Sequence, residues 1–229
     1  MDKKNTLIKQ VKKEIKDLYK TQEEIEIHPE TGVVWILSGP GNFFKPLDDE
    51  EKYMQWMDRH RILYGILLAR AITAKRCKKE TKDLLQKDIQ DNGPLIIYNG
   101  IPDENAALRK ALNKSLVSYP LEKVIIIDKV IDGKKKRNII HTKDQILSFP
   151  LELLKKEKTN TIAIISHIQH FPRIMRYLRM YKIFPDTLQV EIYGLKPPKE
   201  MNKEFSEEEA NKVWDYYKKG DLSWRPIKI

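Results

Sequence analysis

Residues 161–173 read TIAIISHIQHFPR, and the fold turns on how this stretch is read. It opens with the apolar run 162–165, flanked by polar residues and too short for a helix. That is the mark of a strand buried on both faces. The run stops at Ser166. His167, Gln169, His170 and Arg173 follow, with Pro172 among them, and Ile174, Met175 and Leu178 then recur at helical spacing. A buried parallel strand that delivers hydroxyl, imidazole and guanidinium groups to its carboxyl end is where open α/β sheets hold ligands.

The same order of strand, polar turn and helix recurs upstream. Residues 33–37 (VVWIL) are apolar throughout and end at Ser38-Gly39-Pro40-Gly41-Asn42, small residues whose backbone amides can approach an anion or simply turn the chain. Residues 24–37 as a whole read as a hairpin, with His28 in its turn. Asp48, Asp49, Glu50 and Glu51 are placed to start a long helix with Met54, Met57, Leu63, Ile66, Leu67 and Ala71 on its apolar side, and with His60 on its surface. Residues 94–98 (PLIIY) form a second short strand. It ends at Asn99-Gly100, before a helix opened by Asp103-Glu104-Asn105. Residues 123–127 form a third strand. It leads into a hairpin over 129–140 that turns at Asp132-Gly133 and carries the basic run Lys134, Lys135, Lys136, Arg137. Thr142 and Gln145 have capping-box spacing. Residues 187–193 read as a last strand, at an edge. Ser206 to Glu209 read as a second capping box, opening a final helix. At the other end, Leu7, Ile8, Val11, Ile15, Leu18 and Tyr19 form an apolar stripe on a lysine-rich helix over 5–20.

These alternations predict an α/β fold: a mainly parallel, doubly wound, Rossmann-like sheet with helices on both faces. The N-terminal helix and the β-hairpin are additions to it. The 229 residues are expected to form a single domain, with a core over about 33–181 and a further C-terminal helix over 206–219. In such a sheet the turns at Ser38–Gly41, Asn99–Gly100, Asp128 and Ser166–His170 share one edge, so one crevice can gather them.

A charged fraction of 33% and a net charge of +10 favour anionic partners: nucleic acid, nucleotides, phosphorylated metabolites or anionic lipid. The one cysteine, Cys77, excludes an intrachain disulfide and a thiolate zinc cluster. No run reaches transmembrane length, so a cytoplasmic protein without a membrane anchor is expected. His167 and His170 have no carboxylate or cysteine at helpful spacing, and no metal site is expected there.

The order of these motifs resembles the domain family typified by YdcF, SanA and ElyC. The marks are Leu37-Ser38-Gly39-Pro40-Gly41, then Arg61 in a helix, then Asn99-Gly100 with Glu104-Asn105, then His141-Thr142, and last Ser166 to His170-Phe171-Pro172-Arg173. Asn99 stands where the family usually has serine, and Ser166 and His170 are four apart rather than three. The resemblance implies a Rossmann-like sheet with a polar pocket at its strand ends, and nucleotide-like or S-adenosylmethionine-like ligands. Under that reading His170 is the acid/base, its ordinary pKa lying near neutrality, with Glu104 as a second catalytic candidate. Arg173 clamps an anion. Ser38, Gly39, Gly41 and Ser166 hold its oxygens. Glu104 and Asn105 orient a ribose or amine, and Arg61, Asn99, Gly100 and Thr142 complete the set. The rival reading is a non-catalytic basic module that binds nucleic acid or an acidic partner through residues 134–137 and the first helix.

Overall fold

The computed structural model describes residues 2–22, 26–38, 57–113, 119–196 and 202–226. Its main sheet has five strands in the order β3-β2-β1-β6-β7. These are β1 (Val33–Ile36), β2 (Leu95–Tyr98), β3 (Val124–Ile126), β6 (Thr161–His167) and β7 (Gln189–Leu195). Strands β1, β2, β3 and β6 run parallel, in registers that set Ile36 beside Tyr98 on one side and beside Ile165 on the other. The central strands are buried along their whole length, as uninterrupted apolar runs require when both faces are covered. β3 and β7, at the two edges, are only half-buried. After β1 the chain moves outward through β2 to β3, then returns to place β6 on the opposite side of β1. That reversal of strand order is the point where open α/β sheets form a crevice.

Among the described residues the α-helices are α1 (Lys3–Thr21), α2 (Met57–Cys77), α3 (Gln86–Asn92), α4 (Pro102–Asn113), α5 (Thr142–Leu147), α6 (Glu152–Lys156), α7 (Phe171–Tyr181) and α8 (Asn202–Lys218). Strands β4 (Lys129–Asp132) and β5 (Lys135–Asn138) form a separate antiparallel hairpin. Gly133 turns it at φ 61°, a left-handed conformation that favours glycine. Among the described residues no helix is long and apolar enough to cross a membrane.

By compactness the chain divides into two units, and two of the four crossings between them fall inside β6 and β7. One comprises residues 27–165 and 187–192, the other residues 1–26, 166–186 and 193–229. In the first unit α2 packs on β1 and β2. Its buried side carries Ile62, Ile66, Ala69 and Ile72 together with Asp58 and Arg61, while Leu63 and Leu67 face outward, contrary to the expected stripe. In the second unit α1 buries Leu7, Val11 and Ile15, one apolar row at helical spacing, and packs on α8. Two forked ion pairs join its helices. Arg173 of α7 holds both carboxylate oxygens of Glu209 of α8, and Arg176 of α7 holds both of Glu14 of α1.

Three further expectations from the sequence differ from the structure. The stretch before β1 is not a hairpin among the described residues, because side chains of α2 take up its carbonyls. Lys75 donates to Ile27, and Arg76 to Pro29 and Thr31. The cap of α5 is His141, one residue before Thr142, and its ring accepts from the Asp144 amide. Ser206 lies inside α8 rather than at its start, and Glu209 serves Arg173 instead of the helix end.

Candidate functional site

In the first unit, the residues that follow the parallel strands meet side chains from three helices. Ser38 follows β1, Asn99 and Gly100 follow β2, and Asp128 follows β3. α2 contributes Asp58 and Arg61 from its first turns, α4 contributes Glu104 and Asn105, and α5 contributes Gln145.

Asn99 and Asn105 hold the framework. Trp35 donates its indole N–H to Asn99 Oδ1 at 3.0 Å, and Asn99 Nδ2 donates to the Gln145 carbonyl at 2.7 Å, so β1, β2 and α5 are tied by one fully buried amide. Asn105 accepts from the Gly100 amide at 2.9 Å and donates to Ile127 O and Asp128 Oδ1, both at 3.0 Å. A Cβ on Gly100 would lie 2.8 Å from the Tyr98 hydroxyl and 2.9 Å from Glu104 Oε2. The bare glycine is what lets the Glu104 carboxyl approach the strand end.

Around that frame runs a contiguous set of polar side chains. Gln145 Nε2 donates to Ser38 Oγ at 2.7 Å and to the Asn99 carbonyl at 2.8 Å. The Ser38 hydroxyl and the Asp58 carboxyl both lie within hydrogen-bonding reach of the Glu104 carboxyl. Asp58 accepts from the Tyr98 hydroxyl at 2.6 Å and forms a buried ion pair with Arg61. Arg61 Nη1 also reaches the Leu37 carbonyl at 3.4 Å. Burial, then the neighbouring charge of Asp58, pushes the Glu104 carboxyl up from its ordinary 4.5 to about 9, against the opposing pull of Ser38 and Arg61. The Tyr98 hydroxyl is pushed well up by burial and by Asp58. Near neutral pH, Glu104 is therefore a protonated acid.

Some valences in this set are unfilled among the described residues: Arg61 Nε and Nη2, Glu104 Oε1 and Gln145 Oε1 are buried and make no hydrogen bond. Buried polar groups are ordinarily satisfied. Thr142 is buried at the first residue of α5, whereas Gly39 and Gly41 lie outside the described residues.

In the second unit, Ser166 Oγ and His170 Nδ1 are 2.9 Å apart, both buried. His167 packs edge-on against the Phe205 ring. Arg173, expected as an open anion clamp, is instead engaged by Glu209 at 3.0 Å on both Nε and Nη2; its forked edge is occupied by the protein's own carboxylate. Sequence reasoning did not single out Asp58 or Tyr98, and it read Gln145 as a helix cap. The available signal was the α2 spacing, which puts Asp58 and Arg61 one turn apart on the buried side of the helix.

Among the described residues no group of three or more His, Cys, Asp or Glu is placed to hold a metal ion. The chain matches no model of a known protein family, no curated protein and no solved structure.

Proposed function

We propose that this Rossmann-like protein is an enzyme acting on a small ligand of the nucleotide-like, S-adenosylmethionine-like or phosphorylated class that carries a phosphate or carboxylate group. The ligand lies at the carboxyl ends of β1 and β2, and Glu104 exchanges a proton with it. One observation carries the reading: the linked run Gln145–Ser38–Glu104–Asp58–Arg61 is buried, yet among the described residues it keeps unfilled donors and acceptors on Gln145, Glu104 and Arg61. A purely structural network would be closed on itself. A carboxyl raised to about 9 holds its proton at neutral pH and can give it up as a general acid. His170, hydrogen-bonded to Ser166, is the acid/base candidate of the second unit.

The test is a thermal-shift screen of nucleotides, sugar nucleotides, methyl donors and phosphorylated metabolites, on the parent and on Glu104→Gln. A compound that stabilises the parent and stabilises the variant less supports the reading. A panel that shifts neither protein, or shifts both equally, overturns it.

A second reading rests on the β4–β5 hairpin. Lys134, Lys135 and Lys136 are exposed, and a two-stranded basic ribbon of this kind suits a nucleic-acid backbone or an acidic protein. Binding to duplex DNA or RNA that weakens steeply with salt, and that is lost in a triple Lys→Gln hairpin variant, would favour it.

A further inference from the structure

We infer that Arg61 binds two oxygens of the ligand's phosphate or carboxylate group side-on, through Nε and Nη2, while Asp58 fixes the guanidinium from its other end. The inference rests on the proposed ligand site and names the group that site selects for.

The guanidinium of Arg61 is fully buried. Nη1 alone is engaged, by Asp58 and by the Leu37 carbonyl. Nε and Nη2 have no hydrogen-bond partner among the described residues. These two atoms share one edge of the planar group and donate in parallel, which matches a carboxylate or phosphate edge. The same chain shows that edge filled: Arg173 gives Nε and Nη2 to the two oxygens of Glu209, each at 3.0 Å. Arg61 thus presents the same edge that Arg173 gives to Glu209, with no protein partner for it among the described residues. Buried donors of a charged group are ordinarily hydrogen-bonded, so two without a partner among the described residues call for a reason.

Asp58 supplies the orientation. Anchored by Tyr98 at 2.6 Å, it holds Nη1 and so limits rotation of the guanidinium plane. Glu104 supplies tolerance for the incoming charge. A neutral carboxyl beside the guanidinium does not repel an oxyanion, while an ionised one would. Lysine has the charge but not the planar edge, so the arginine is specific to a two-oxygen group.

The test uses the full chain, with inorganic phosphate and malonate as separate probes. The Nε–H resonance of Arg61 is assigned by through-bond experiments on the parent and followed during each titration. A saturable shift of that resonance with phosphate points to a phosphoryl group, and one with malonate to a carboxylate; either supports the inference. Arg61→Lys, when folded, is expected to weaken the responding probe about ten- to hundredfold. An unmoved Arg61 resonance with both probes overturns the inference, as does a folded Arg61→Lys that binds like the parent. Because the resonance is read on the parent, a variant that fails to fold leaves the test intact. Should a nucleotide or methyl donor bind in a Glu104-dependent way while Arg61 stays silent, the inference falls and the proposed function stands. Should no compound bind at all, both fall.

Discussion

Glu104 shows how competing effects are settled at a single residue. It sits in the first turn of α4, where the helix dipole favours a negative charge by about 0.3–1 kcal/mol. Burial and the adjacent Asp58 act the other way and prevail, placing the carboxyl at about 9. The sign of the pH effect follows. Between 4.5 and about 9 the folded chain holds a proton that the unfolded chain has released. Stability is therefore greatest below that window and declines as pH rises through it. Urea unfolding across this range should show the midpoint falling with pH in the parent, and a flatter profile in Glu104→Gln. Equal slopes in the two proteins would mean that Glu104 is ionised throughout. Removing the phenol donor with Tyr98→Phe should cost about 1–3 kcal/mol in the same assay, because Asp58 would lose a buried hydrogen bond. Little of this was legible beforehand. An acid at a helix start and a Gln three residues after a Thr are ordinary helix-end signals, and only the fold turns Glu104 and Gln145 inward.

At the scale of elements, the hairpin depends on Asp144. Its carboxylate takes the Arg137 fork at 2.7 Å on both nitrogens and the Ile140 amide at 3.0 Å, and it is fully buried. An isolated two-stranded hairpin is marginal in water, so this anchor and the buried Val130 and Ile139 hold β4–β5 in place. Asp144→Ala should cost about 2–3 kcal/mol and raise amide exchange across β4 and β5, whereas Lys135→Gln should leave both nearly unchanged. α7 ends at Lys182, whose φ of 45° is left-handed. Lys182→Gly should stabilise by roughly 0.5–1 kcal/mol, visible as a higher melting temperature. The buried strands were legible because runs such as VVWI, LIIY and IAII admit no other reading at that length. The hairpin expected before β1 failed because no local pattern reveals that Arg76, far along the chain, takes up those carbonyls. The Ser206 box failed because capping spacing also occurs inside helices.

For the whole molecule, the order of strand–helix alternations was enough to predict a Rossmann-like sheet. The division into two units was not legible, since the chain crosses between them four times, twice inside strands, and no linker composition marks the crossings. The net charge of +10 acts at this scale as well. Association of an anionic ligand should slow as ionic strength rises from roughly 10 to 150 mM, as the screening length shrinks from about 30 to 8 Å, while that of an uncharged analogue should not. Stopped-flow rates at two salt concentrations decide it; equal sensitivity for both ligands would mean that the charge is not focused on the site.

The unit built from residues 1–26, 166–186 and 193–229 draws on stretches that the ribosome makes far apart in time. The row Leu7, Val11 and Ile15 on α1 has no α8 to lie against until residues near 210 emerge, on the order of ten seconds or more later at ordinary elongation rates. During that interval the nascent chain carries an uncovered apolar helix, the kind of surface that holdase chaperones grip. Closing the unit then means joining distant segments, a slow step in any topology rich in long-range contacts.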